Sequence, residues 1–179
     1  KSFGIKENTV LKALAKYRGA WRRMEYKGKL KGVVEIKTLV SDDYAHHPTE
    51  IKATLKAFRE KFPKSLLICI FQPHQSHRLK ILFKEFTRAF DEADVLILLN
   101  VYKVSGRDEP SHNVNSEKLA KTILKRKNGP KGLIYLPSPE ALRKTLIELL
   151  QTKNPRLETA VIVMMGAGDI VNLTPKLLK

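Results

Sequence analysis

Ser65-Leu66-Leu67-Ile68-Cys69-Ile70-Phe71 and Val95-Leu96-Ile97-Leu98-Leu99-Asn100-Val101 are two short apolar runs bounded by turn residues. Each has the length and composition of a buried strand. Between them, Gln75 to Asp91 carries Leu79, Leu82, Phe83, Phe86 and Phe90 at helical spacing. A strand, a helix and a strand in this order imply two parallel strands joined by a helical crossover.

The same alternation extends outward in both directions. Upstream, Thr38 to Asp43 reads as a strand, and Pro48 opens a helix to about Lys61 with Ile51, Leu55 and Phe58 on one face. Downstream, Asn115-Ser116-Glu117 caps a helix reaching about Lys127, and Gly132 to Leu136 is a strand. Ser138-Pro139-Glu140 starts another helix, with Ser138 as its cap and Pro139 in its first turn. Thr159 to Met165 is the last strand, and Gly166-Ala167-Gly168-Asp169 leads into a short terminal helix. At the amino end, Thr9 to Arg18 reads as a helix stopped by Gly19, and Ala20 to Tyr26 and Lys31 to Lys37 read as a hairpin turning at Lys27-Gly28. The expected fold is α/β: a Rossmann-like, three-layer domain with a mostly parallel sheet, helices on both faces and an amino-terminal β-hairpin.

The totals agree with this and remove several classes. The 179 residues suit one domain, 1–179, large enough for a real core. With 42% hydrophobic and 29% charged residues, the composition is that of a globular protein, and no apolar run approaches the ~20 residues of a membrane helix. No membrane partner is expected. Lys1-Ser2-Phe3-Gly4 has neither an initiator Met nor the apolar stretch of a secretory signal, so the chain reads as beginning in mid-protein. Its one cysteine, Cys69, sits in an apolar run and suits a reducing, cytoplasmic setting.

The formal charge of +16 favours anionic partners. The lysines are scattered, however, as at Lys27, Lys29 and Lys31 or Lys121, Lys125 and Lys127. No nucleic-acid recognition motif or aromatic platform accompanies them, so the charge is the only support for a nucleic-acid-binding module.

In open parallel sheets, ligands bind beyond the carboxyl ends of the strands. That rule selects four loops: Asp42 to Glu50, Gln72 to Arg78, Asn100 to Asn113 and Gly166 to Asp169. The first, Asp42-Asp43-Tyr44-Ala45-His46-His47-Pro48-Thr49-Glu50, ends a strand in two carboxylates and enters a helix whose free N–H groups face the same space. Adjacent histidines rarely converge on one ion and no third ligand is placed by spacing, so no metal site is assigned. In the second loop, Arg78 has the planar fork that clamps a carboxylate. Within Trp21-Arg22-Arg23-Met24-Glu25, read as strand, alternation sends the two arginines to opposite faces, one as a surface residue and one toward a phosphate, while Trp21 is expected to pack. The Gly166 to Asp169 loop lacks the third glycine and following strand of a dinucleotide fingerprint, and no Walker-type phosphate loop is present.

The order of these pieces resembles the carboxy-terminal domain of the Mur ligases, nearest to the members that join L-alanine to UDP-N-acetylmuramate. The matching residues are Gly19-x-x-Arg22-Arg23-Met24-Glu25, Asp43-Tyr44-Ala45-His46-His47-Pro48-Thr49-Glu50-Ile51, and Phe71-Gln72-Pro73-His74 with Arg78. Leu82-Phe83-x-Glu85-Phe86, Ala89-Phe90, Ala93-Asp94 and Met165-Gly166-Ala167-Gly168-Asp169-Ile170 follow. The likeness covers nearly the whole chain, and the run beginning at Asp43 is its most specific part.

The resemblance implies peptidoglycan precursor synthesis by an ATP-dependent, ADP-forming ligase. In such an enzyme ATP, with Mg²⁺, phosphorylates the muramoyl carboxylate, and the alanine amine displaces phosphate from the acyl phosphate. It also implies an amino-terminal UDP-sugar domain and a central ATPase domain, both outside this chain, with the central domain holding most of the ATP and Mg²⁺ site. The domain alone is then expected to be inactive. Carried over residue by residue, Arg23 approaches the ATP phosphates and Asp43 contacts the nucleotide, at its ribose. Tyr44 and His46 shape the amino-acid pocket, and His74 and Arg78 hold the alanine carboxylate. Asp42, His47 and Glu50 are read as supporting structure.

One departure concerns the amino-acid loop. The family pattern Phe-Gln-Pro-His-Arg-Tyr-x-Arg-Thr has Gln75, Ser76 and Leu79 here in place of the first arginine, the tyrosine and the threonine. Losing one charge-assisted contact weakens carboxylate binding by roughly 1.5–3 kcal/mol. The Asn100 to Asn113 loop is also longer and more polar than the resemblance leads one to expect. Two related readings therefore stand beside the alanine enzyme: a ligase that recycles murein tripeptide, and a non-catalytic descendant. The tripeptide enzymes carry Phe-Glu-Pro-Arg where this chain has Phe71-Gln72-Pro73-His74, which favours alanine.

Overall fold

The computed structural model describes residues 3–17, 19–32, 36–102, 114–152 and 157–179. Its strands are β1 (Glu25–Gly28), β2 (Lys37–Asp43), β3 (Leu66–Phe71), β4 (Val95–Leu99), β5 (Gly132–Leu136) and β6 (Thr159–Met165). Its helices are α1 (Glu7–Lys16), α2 (Pro48–Lys61), α3 (Ser76–Ile81), α4 (Phe83–Phe86), α5 (Ser116–Leu124), α6 (Leu142–Gln151) and α7 (Thr174–Leu177). The strands form one sheet in the order β1-β2-β6-β3-β4-β5, parallel throughout except for the antiparallel edge strand β1. The α/β expectation holds. The last strand in sequence, β6, lies between β2 and β3, so the loop after it opens at the middle of the sheet's carboxyl edge.

The apolar runs follow from burial on both faces. In β3, Leu67, Cys69 and Phe71 face one core with Ile51, Leu55 and Phe58 of α2 and with Leu119 and Ile123 of α5. Ile68 and Ile70 face the opposite core with Leu142, Leu146 and Leu150 of α6 and Leu177 of α7. Fully burying each such side chain is worth roughly 1.5–3 kcal/mol, so these two layers hold the sheet. Phe71 lies 5.1 Å from Phe90 and 5.9 Å from Phe86, ring centre to ring centre. Cys69 is wholly buried, and that burial pushes its thiol pKa up.

Four expectations are corrected. The helix expected from Gln75 to Asp91 is two short pieces, α3 and α4, with a break at Leu82 (φ −101°, ψ 24°). The bend leaves Leu79, Phe86 and Phe90 all buried in the core shared with α2. The antiparallel hairpin exists, but its arms are β1 and β2, with Glu25 opposite Asp42 and a bulge between Tyr26 and Gly28. Residues 20–24 are not strand, because Arg22 and Met24 take positive φ (50° and 47°), which extended backbone does not allow. Residues 33–35, within the other expected arm, lie outside the described residues, as does Arg18. Finally, Ser138 does not cap a backbone N–H. It precedes a 3-10 turn at Pro139–Ala141, and its hydroxyl donates to the Glu140 carboxylate.

Helix α1 begins and ends two residues before the span expected for it, and none of its residues is buried. Among the described residues no helix is long and apolar enough to cross a membrane.

Candidate functional site

At the carboxyl end of β2, the chain turns from Asp43 through Tyr44 to His47 and enters α2. Two reciprocal contacts set this corner. The His47 ring Nδ1 accepts from the Thr49 N–H (3.3 Å), and the Glu50 carboxylate accepts the N–H groups of His46 (3.0 Å) and His47 (3.2 Å). This is a capping box with histidine in the place of serine. Burial opposes ionisation of Glu50, but the two backbone N–H groups outweigh it and hold the carboxyl below its ordinary value. His47 and Glu50 are thus supporting structure, as expected.

Asp42 and Asp43 both face inward. Asp43 is 1% exposed. Its Oδ1 accepts from Ala45 N (2.8 Å) and the Thr54 hydroxyl (3.3 Å), and its Oδ2 accepts from Met24 N (2.9 Å). The ribose contact expected of Asp43 therefore meets a carboxylate already engaged at both oxygens. Asp42 accepts from the Thr174 hydroxyl at the start of α7. Burial raises the Asp42 pKa, partly offset by that hydroxyl and by Lys27 and Arg22.

The arginine pair separates clearly. Arg22 is 2% exposed, and Arg23 lies at the surface. The Arg22 guanidinium donates through Nη2 to the Gly166 carbonyl, while its Nε is buried without a partner among the described residues. It sits 5.2 Å from the Tyr44 ring centre and 5.6 Å from that of Trp21, within cation–π range. Burial lowers its pKa, against the opposing fields of Asp42, Tyr44, Asp43 and Glu25. Trp21, expected to pack, is instead 69% exposed. The Arg23 guanidinium carbon lies 6.0 Å from the centre of the same Tyr44 ring. A buried Arg22 was missed because alternation along a strand does not apply to a turn with two positive φ values.

Tyr44, His46 and His74 come together. The Tyr44 and His46 ring centres are 5.3 Å apart, and His46 and His74 are 6.3 Å apart, both edge to face. His46 Nδ1 lies 3.0 Å from the Tyr44 carbonyl. A carbonyl only accepts, so Nδ1 carries the hydrogen and Nε2 is the acceptor of the neutral ring. Arg78, in the first turn of α3, approaches the His74 carbonyl (3.4 Å) and ring Nδ1 (3.5 Å) through Nη1. Between them Gln75 takes φ 68°, uncommon for a non-glycine residue, at a cost on the order of 1–3 kcal/mol. All three non-glycine residues of positive φ among those described, Arg22, Met24 and Gln75, border this site.

The third and fourth loops supply what the sequence reading did not name. Tyr102 stacks on His74, with ring centres 5.5 Å apart and planes 17° from parallel. Residues 103–113 of its loop lie outside the described residues. Gly166 (φ 148°) leaves β6 with its Cα so near the Gln72 carbonyl that a Cβ would sit 2.8 Å from that oxygen. Gly168 is closed in similarly, since a Cβ there would lie 2.6 Å from Tyr102 Cγ and 2.9 Å from Gln72 Oε1. Packing requires glycine at both places. Among the described residues no three His, Cys, Asp or Glu side chains gather to hold a metal ion.

Comparison with known proteins gives this site a context. The profile of the family described as Mur ligase, glutamate ligase domain, matches residues 22–171. A UDP-N-acetylmuramate–L-alanine ligase of Clostridium beijerinckii is 38% identical over 177 residues, covering 99% of this chain and 35% of that protein. The crystal structure of the UDP-N-acetylmuramate–alanine ligase of Thermotoga maritima superposes with a TM-score of 0.70 at 24% identity, covering 98% of this chain and 33% of that one. A murein peptide ligase of Psychrobacter arcticus superposes with a TM-score of 0.62 at 23% identity, covering 99% of this chain and 33% of its own. These two structures carry the fold alone. The chain spans about a third of the length of the curated relatives it matches. Fold, motif order and near-complete sequence coverage agree, and this chain belongs to the Mur ligase family, as its glutamate ligase domain.

Proposed function

We propose that this chain is the amino-acid- and nucleotide-contacting domain of a cytoplasmic, ATP-dependent and ADP-forming ligase that joins L-alanine to UDP-N-acetylmuramate in peptidoglycan precursor synthesis. The observation that carries this reading is the 38% identity to an alanine-adding ligase over 99% of the chain. The site geometry supports it. Tyr44, His46, His74 and Arg78 meet at the carboxyl edge of the sheet, where a small zwitterion finds a guanidinium for its carboxylate and a ring nitrogen for its amine.

In this reading Arg78 and His74 hold the alanine carboxylate, and Tyr44 with His46 walls the amine end. His46, with its Nδ1–H committed to the Tyr44 carbonyl, turns an accepting Nε2 to the amine. Arg23, at the surface beside Tyr44, reaches the ATP phosphates. Asp43 acts from beneath, holding Met24 and Ala45 and so the backbone on which Arg23 and Tyr44 stand. ATP with Mg²⁺, held mainly by the central ATPase domain of the complete enzyme, supplies the phosphoryl group that activates the muramoyl carboxylate. This chain alone is expected to be inactive.

The test is phosphate release by the complete ligase carrying this domain, with UDP-N-acetylmuramate and either alanine or murein tripeptide as acceptor. Turnover with alanine is expected, and turnover with tripeptide alone would overturn the reading in favour of a recycling enzyme, to which Gln75 and Ser76 in the amino-acid loop would then belong. His46→Ala and Arg78→Ala should each raise the alanine KM by roughly 10- to 150-fold, the equivalent of one charge-assisted contact. Unchanged kinetics in both would refute the site assignment.

A further inference from the structure

Three of the rings at the site stand in a row, Tyr44, His46 and His74, and the row has a fourth member. Tyr102 comes from the loop after β4, not from the two loops that supply the others. Its backbone is tied to the His74 loop on both sides: Tyr102 N–H donates to the Pro73 carbonyl (2.8 Å), and Gln75 N–H donates to the Tyr102 carbonyl (3.1 Å). These make a one-residue parallel bridge between His74 and Tyr102. The Tyr102 ring lies flat on the His74 imidazole on one side. On another it closes against Gly168 so tightly that no Cβ fits there.

A histidine on a loop has several rotamers available, and holding one costs entropy unless neighbours exclude the rest. Tyr102 supplies that exclusion through both backbone and ring, and Gly168 fixes Tyr102 in turn. We propose that Tyr102 is a positioning and specificity-determining residue. By clamping His74 against the β6–α7 side of the site, it sets where the amino acid's carboxylate is held and how large a side chain fits beside it. The inference rests on the amino-acid site described under the proposed function and extends it to a residue on a different strand. Gly168 is small because Tyr102 must lie over it.

The complete ligase tests this with Tyr102→Ala, Tyr102→Phe, Gly168→Ala and the double variant Tyr102→Ala/Gly168→Ala, beside His74→Ala. Tyr102→Ala should raise the alanine KM about 3- to 10-fold, the equivalent of one stacked ring pair. It should leave the ATP KM in place and narrow the preference for alanine over larger amino acids. Tyr102→Phe, which keeps ring and backbone, should restore the alanine KM. Gly168→Ala displaces the same ring and should give the same rise, and it should add little once Tyr102 is already alanine. An unchanged alanine KM in Tyr102→Ala, with His74→Ala impaired, overturns the inference and leaves the site reading standing. A Tyr102→Phe enzyme as impaired as Tyr102→Ala overturns it also. If His74→Ala itself is without effect, the site reading fails and the inference fails with it. Should Tyr102→Ala not fold, Gly168→Ala decides by the same criterion.

Discussion

Asp42 shows how a single buried carboxyl sets a pH dependence opposite to the usual one. Its folded pKa is raised, chiefly by burial, so the folded state holds its proton more tightly than the unfolded chain. Its contribution to stability is full below the ordinary carboxylate pKa of 3.8 and is lost as pH rises through the folded value. Asp42→Asn removes the ionisation and keeps an oxygen for the Thr174 hydroxyl. It should raise the melting temperature at pH 7 and leave it nearly unchanged at pH 3. A melting temperature at pH 7 equal to or below that of the parent would show that the Asp42 charge is not a burden. The position was legible in the sequence as supporting structure, but the direction of the effect was not, because it depends on α7 closing over Asp42 from 132 residues away.

Among the helices, α2 is the one whose bounds the sequence defined best, at Pro48–Lys61. Proline in the first turn, a capping pair at His47 and Glu50, and Ile51, Leu55 and Phe58 on one face are all local signals. Glu50→Ala should cost about 1 kcal/mol at pH 7, the usual value of a lost cap, in urea unfolding. The folded pKa of Glu50 is lowered, so its contribution is present above the ordinary carboxylate value and is lost as pH falls through the folded value. The difference between parent and Glu50→Ala should therefore shrink at acid pH, and a difference that grows there would exclude the cap. The segment before β1 was harder to read. Residues 20–24 have strand-like composition, yet the fold needs Arg22 directed inward to the Gly166 carbonyl, and two positive φ values deliver it. The helix expected at Gln75 to Asp91 failed for a comparable reason, since its periodicity continues across the break at Leu82.

Across the whole molecule, two cores clamp one sheet, and α1 belongs to neither. Phe3, Ile5, Leu11, Leu14 and Tyr17 are exposed, and the family profile begins only at residue 22. Removing residues 1–17 should leave the cooperative thermal unfolding of this chain within a few degrees of its starting point, since no residue of α1 is buried. A collapse of the transition would show that α1 is part of the folding unit. The alternation of strands and helices, and with it the three-layer arrangement, was legible because each β-strand buried on both faces must be apolar along its length. The candidate loops were legible from the same alternation, since parallel strands present their carboxyl ends together.

The sequence by itself determined the layers, the bounds of α2, the supporting role of His47 and Glu50 and the motif order that marks the family. Those features are written in periodicity, capping and short runs, which act over a few residues. Only the tertiary structure decided that β6 lies at the centre of the sheet, that Arg22 and not Arg23 is buried, that Asp43 faces inward, and that Tyr102 joins the row of rings. Each of these is a contact between segments far apart in the chain, and it exists only once the sheet has brought the strand ends together.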